Sequence, residues 1–155
     1  MLSPFADVDR EAMDEAAQLR EQFQVYLRGS LEAMSRAVTG MPAGPRRLLV
    51  AVEAFWESCY RARAEAQAIA QAAERIEGEQ SLMRSAQILQ RLLASELKAC
   101  GIGHAETLAP DLAAEIGAVA RAERFADQRL PFLRRRLIGF LESRTGLPSL
   151  WAAAA

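Results

Sequence analysis

The stretch Arg46–Gln67, RRLLVAVEAFWESCYRARAEAQ, decides the fold class. Leu48, Leu49, Val52, Phe55, Trp56, Cys59 and Tyr60 recur at three- and four-residue steps, the period of one helix face, and nothing in the stretch alternates apolar with polar as a half-exposed strand would. Pro45, just before it, suits the first turn of a helix because proline has no N–H to leave unsatisfied there. The apolar arc is wide, which predicts a helix central to its domain. Its four large neighbours, Phe55, Trp56, Cys59 and Tyr60, pose a question of function: they line a ligand site, or they are core packing alone.

The same reading extends along the whole chain. Ala, Leu, Glu, Arg and Gln dominate, β-branched residues are scarce, and no segment has a two-residue period, so the protein is expected to be all-α. A first helix from about Asp7 or Asp9 to Val38 carries Leu19, Phe23, Tyr26, Leu27, Leu31, Met34 and Val38 on one face, with Gly29 as a weak point, before TGMPAGP breaks it. After the helix at Pro45 comes an alanine-rich one, RAEAQAIAQAAERI, ended by Gly78. A fourth, from about Glu79 to Ala99, has Leu82, Ala86, Leu89, Leu93 and Leu97 on one stripe, widened by Met83, Ile88 and Leu92. A fifth runs from about Thr107 to Asp127 with Pro110 in its first turn, and a sixth from Pro131 to Gly146. The six helices make one domain of 155 residues with a tail at 147–155; a chain of this size buries about two thirds of the surface it would expose unfolded.

Charge and composition exclude several functions. The chain is 51% hydrophobic and 25% charged, and its 19 basic and 20 acidic residues leave a net charge of -1. That balance provides no broad basic field to hold nucleic acid by its phosphates. Cys59 and Cys100 lie far apart without CxxC spacing, and His104 is the one histidine, so no zinc site, disulfide framework or Ser/His/Asp triad can be assembled. Cys59 and Cys100 read as reduced, buried thiols, and His104 as a solvated loop residue. The acidic start MLSPFADVDREAMDE is not a secretory signal, and no window approaches eighteen uncharged apolar residues, so a cytoplasmic protein without membrane contact is expected. No cofactor is called for, and no enzyme activity.

The run Gly44–Ile116, GPRRLLVAVEAFWESCYRARAEAQAIAQAAERIEGEQSLMRSAQILQRLLASELKACGIGHAETLAPDLAAEI, resembles the C-terminal ligand-binding and dimerisation domain of tetracycline-repressor (TetR) type transcriptional regulators. The likeness lies in helix order and amphipathic spacing. It implies an effector pocket among the first four helices, with Phe23, Tyr26, Phe55, Trp56, Cys59, Tyr60 and Met83 as its candidate lining. It further implies that the last two helices pair with those of a second subunit as a four-helix bundle, with Leu112, Ile116, Val119, Leu133, Leu137 and Phe140 as the apolar contributors. Glu123 would then either meet an arginine across the two-fold axis or lie just past the buried stripe. Those regulators carry a helix-turn-helix head upstream, whereas Met1 here stands a few residues before the first long helix, so a headless relative is expected. The function implied is a homodimeric sensor of a small hydrophobic effector that signals through a partner protein. The alternative from the residues themselves is a helical interaction module with a closed core and no ligand.

Three consecutive arginines, Arg134–Arg136, complete the reading. On a helix they fan over about 200°, so they cannot form one phosphate-binding face and are expected to divide between solvent and salt bridges.

Overall fold

The computed structural model describes residues 4–75 and 79–147. Among them are six helices and no strand: α1 (Pro4–Ala37), α2 (Pro45–Arg61), α3 (Arg63–Arg75), α4 (Glu79–Ala99), α5 (Ala105–Ala126) and α6 (Pro131–Thr145). The expected all-α class and the six segments hold, and the differences at their ends are physical. α1 begins at Pro4, so Asp7 and Asp9 lie inside it and not at its start. α5 begins two residues early, at Ala105, which moves Pro110 into the second turn and leaves the Glu106 carbonyl without its i+4 donor.

Two helix ends show how the chain turns. After α4, Gly101 adopts φ 82°, its N–H reaches the Lys98 carbonyl at 2.9 Å, and the Ile102 N–H reaches the Leu97 carbonyl at 3.1 Å. This is a Schellman closure, and Ile102 buries its side chain against the helix it ends. After α5 the same pattern recurs with Asp127 at φ 51°, its N–H to Arg124 at 3.3 Å and the Gln128 N–H to Glu123 at 3.2 Å. An aspartate is one of the few side chains that tolerate this left-handed conformation.

α2 is central, as its wide apolar arc predicts. Leu48, Leu49, Val52, Phe55, Trp56 and Cys59 are all buried, with α1 packed along one side and α5 along another. Trp56 has no exposed surface, and its indole Nε1 donates to the Ile116 carbonyl at 3.1 Å, which fixes the α2–α5 crossing. α4 lies along α5 through Leu89, Leu93 and Leu97, and the bidentate Arg47–Glu96 pair at 2.6 and 2.9 Å ties its end to the start of α2. Ile88 and Leu92, expected to widen that stripe, are instead exposed, because Leu89, Leu93 and Leu97 fill the contact with α5.

The turn between α5 and α6 is built around Glu123, 1% exposed. Its carboxylate accepts from Arg134 Nε at 2.6 Å and Nη2 at 2.7 Å, and from the Leu130 backbone N–H at 2.9 Å. Both sequence readings of Glu123 are thereby corrected: it is buried, and its arginine comes from the next helix of the same chain, delivered by the four-residue turn between them. Arg134 extends from there to Glu57 on α2 at 2.8 Å, and Arg129 holds the same Glu57 through two bonds of 2.9 Å. Of the arginine run, Arg134 is thus the salt-bridge partner, while Arg135 and Arg136 are exposed.

The residues expected at a dimer interface divide within the single chain. Leu112, Ile116, Val119 and Leu137 are between 0% and 6% exposed within this single chain, so the protomer's own core consumes them. Only Leu133 and Phe140 keep surface, packed at the edge of that core. The reason is the packing of α5: α4 and α2 cover its apolar face, and α6 folds back beside them.

Two measurements test this account. Arg134→Ala leaves the Glu123 charge buried without its main partner and is expected to cost about 3–5 kcal/mol in urea denaturation, while the double replacement Glu123→Leu/Arg134→Met recovers most of it. Arg129, helped by Arg134 and opposed by burial, holds the Glu57 carboxyl down to about 2 from its ordinary 4.5. A depressed carboxylate stabilises the fold above the unfolded value and loses that contribution as pH falls, so stability attributable to Glu57 declines between pH 4.5 and 2; in Glu57→Gln this component of the acid denaturation profile is absent.

Candidate ligand cavity

Between α1, α3, α4 and α5 the packing leaves a cavity of about 380 Å³. It arises from small side chains where the neighbouring rows are large. On α5 the row Pro110, Ala113, Ala114, Gly117 and Ala120 follows helical spacing and faces the cavity, while Leu112, Ile116 and Val119 on the adjoining face fill the core. On α3, Ala66 and Ala70 do the same beside Ile69. Opposite stand Phe23, Tyr26 and Leu27 of α1, Phe55 and Cys59 of α2, and Leu89 and Gln90 of α4. Two helices that present alanine and glycine to three that present large side chains cannot interdigitate completely, and the shortfall is the empty space.

Four of the seven candidate lining residues therefore meet here: Phe23, Tyr26, Phe55 and Cys59. Phe23 and Tyr26 stack with ring centroids 6.2 Å apart and planes tilted by 39°. Trp56 does not line the cavity. It points about 100° away from Phe55 around the helix, into the core, and its single polar atom is already bound to Ile116. Tyr60 lies on the outside of α2, its ring held between the guanidinium groups of Arg63 at 4.2 Å and Arg129 at 4.3 Å. Such a sandwich belongs to the network around Glu57. Met83 lies outside the residues whose side chains are described.

The polar content of the wall is small and specific. Burial, and after it the neighbouring Cys59, pushes the Tyr26 phenol well above its ordinary value. Burial likewise pushes the Cys59 thiol up, against hydrogen bonds from Tyr26 and Ser30 that pull it down. Both groups are therefore neutral at neutral pH. Ser30, 1% exposed, links them to the backbone: its hydroxyl lies 3.7 Å from the Cys59 sulfur, donates to the Tyr26 carbonyl at 3.4 Å and accepts from Ser58 at 3.3 Å. The thiol is accordingly a packed, weakly polar group and not an activated nucleophile. The cations on the lining are Arg121 and Arg124 of α5, and among the described residues no carboxylate lines it with them.

The sequence contains the signal for this cavity. The alanine-rich composition of the third helix is legible in RAEAQAIAQAAERI, but its consequence, missing volume, depends on which helices it faces. Pro110, Gly117, Arg121 and Arg124 carry helical spacing too, and sequence reasoning passed over them because the large apolar stripe of the same helix drew the assignment of a buried face.

His104 stands in the α4–α5 loop, exposed, with Nε2 3.2 Å from the Arg144 carbonyl and away from the cavity. Among the described residues no three His, Cys, Asp or Glu side chains come together as a metal site would need, and no helix is long and apolar enough to cross a membrane. Comparison with known proteins returns no matching family model, no matching curated protein and no matching solved structure.

Proposed function

We propose that this chain is a TetR-like sensing domain that binds a small, largely apolar molecule in the cavity between α1, α3, α4 and α5 and carries its signal as a homodimer. The observation that supports the reading is the cavity itself: about 380 Å³, walled mainly by apolar side chains, with a few polar groups converging on it. That volume falls in the range of roughly 300–1,000 Å³ typical of small-molecule sites. A ligand there would touch α1 and α5 together. It would thus favour whichever arrangement of those helices it fits better, as any ligand-driven switch requires.

Direct DNA binding by these residues has no support in their balanced charge. The output instead passes to a partner or a second copy. With Leu112, Ile116, Val119 and Leu137 consumed in the core, the dimer contacts move to the outer faces of α5 and α6. Leu133 and Phe140 keep surface there, and Phe125 and Phe132 are 75% and 71% exposed. Single exposed aromatics are ordinary, but a group of them on adjoining helices marks an interaction surface.

Ala70→Leu separates this reading from a closed interaction module. Leucine at this half-buried position keeps the helix and fills the cavity. A panel of apolar small molecules is expected to contain compounds that raise the melting point of the native chain and leave Ala70→Leu unmoved; at a hundredfold excess over its dissociation constant, a bound ligand adds about 2.7 kcal/mol. A panel that shifts neither protein removes the sensor. Light scattering of the native chain is expected to give the mass of a dimer, and Phe125→Glu/Phe132→Glu that of a monomer; a monomeric native chain removes the dimer.

A further inference from the structure

At the cavity wall, the two arginines, Arg124 half-buried and Arg121 exposed, differ from the others in this part of the fold. Arg63, Arg129 and Arg134 each have a carboxylate partner, Asp127, Glu57 and Glu123 respectively. Arg121 and Arg124 have none among the described residues. Arg124 also stands out by burial: its Nε is shut off from water and has no hydrogen-bond partner. A buried donor left unmade is costly, more so when it is charged, so one that persists calls for something outside the chain to complete it.

Position indicates what that is. Arg124 lies one helical turn beyond Arg121 on the cavity side of α5, close enough to Tyr26 for its charge to pull the phenol's proton affinity down against the effect of burial. The guanidinium of Arg121 lies back along the same helix, with Nη1 3.9 Å from where a β-carbon on Gly117 would stand. Two positive groups therefore sit at one end of a space whose remainder is formed by Leu27, Phe55, Ile69 and Leu89 and by alanines. Gln90 and the neutral Tyr26 phenol can add hydrogen bonds at that wall without adding negative charge.

We infer that the ligand of this cavity is an amphipathic carboxylate, an aliphatic or aryl acid whose apolar part lies among Leu27, Phe55, Ile69 and Leu89 and whose carboxylate is held by Arg124 with Arg121. The planar guanidinium fork matches a carboxylate through two parallel N–H···O bonds, and Nε of Arg124 is one of the two donors such a contact uses. A neutral apolar molecule of the same shape would fill the space and leave that donor unmade, which is the basis of the discrimination. The inference rests on the sensor reading, since it names the chemical class of that ligand.

Titration of the full chain with decanoate and with 1-decanol, chains of the same length differing in head group, distinguishes the two claims. Decanoate is expected to bind roughly ten- to a hundredfold more tightly, the scale of a hydrogen bond to a charged group. Arg124→Gln should bring decanoate down toward the alcohol and leave the alcohol unchanged, and Arg121→Gln should remove part of the difference. Added salt should weaken decanoate and spare decanol in the native chain, a readout that needs no variant to fold. Equal affinity for acid and alcohol, or a preference that survives Arg124→Gln, overturns the carboxylate assignment and leaves the cavity as an apolar site. Failure of both probes to bind the native chain overturns the assignment and the sensor reading together.

Discussion

The buried pair of Glu123 and Arg134 is the interaction on which the rest of the architecture turns. A carboxylate with 1% exposure is stable only if its charge is matched and its oxygens are bonded, and here one oxygen takes two donors and the other takes one. Meeting that requirement fixes the hairpin between α5 and α6 to a single geometry, because both Arg134 and the Leu130 N–H must reach the same group. The left-handed turn at Asp127 serves the same end by reversing the chain directly after Glu123. Arg134 then carries the constraint to α2 through Glu57, and its guanidinium lies over the Trp56 ring at 5.5 Å. Three helices are thus registered by one ionic cluster laid against the most buried aromatic side chain.

That registration has a consequence at the other side of α5. With the Leu112–Ile116–Val119 face committed to the core, the adjoining row of small residues is turned toward α1 and α3. α3 also presents alanine there. The space between them cannot be closed by moving α5 inward, since the Trp56–Ile116 bond and the Glu123 cluster hold the helix where it is. The cavity is therefore a result of rigid packing on one face of a helix and small side chains on the other. Arg124, one position from Glu123, shows the same division at a finer scale: Glu123 points into the ionic cluster, and Arg124 points to the cavity with an unmade Nε donor.

How far the candidate site could be read in the sequence follows from what periodicity measures. Apolar residues at helical spacing show that a face is buried, which groups Phe55 and Cys59 with Trp56 and Tyr60 on α2 without saying which of them line a cavity; the joint grouping with Phe23 and Tyr26 is implied by the family resemblance alone. The difference between those residues is a rotation of about 100° per position around α2, and which direction holds a cavity, a core or solvent depends on the helices that surround it. Leu112, Ile116, Val119 and Leu137 show the same limit. Their pattern demands burial but does not say against what, and their own chain provides it.

What the sequence by itself determined is local: six helices, with some ends displaced by a few residues, because propensity, proline at helix starts, glycine beyond helix ends and a 3.6-residue apolar period are all properties of neighbouring positions. The tertiary structure decided which buried faces meet, and so where Glu123 finds its counter-charge and where packing falls short of filling space. Those outcomes depend on pairs of residues 11 to 77 positions apart, Glu123 with Arg134 and Glu57 with Arg134, whose affinity for one another is a matter of distance and burial in three dimensions. A run of three arginines carries no mark of which one will be taken into the interior. Only the packed helices select Arg134 for that place, and leave Arg124 of the neighbouring helix facing an open cavity.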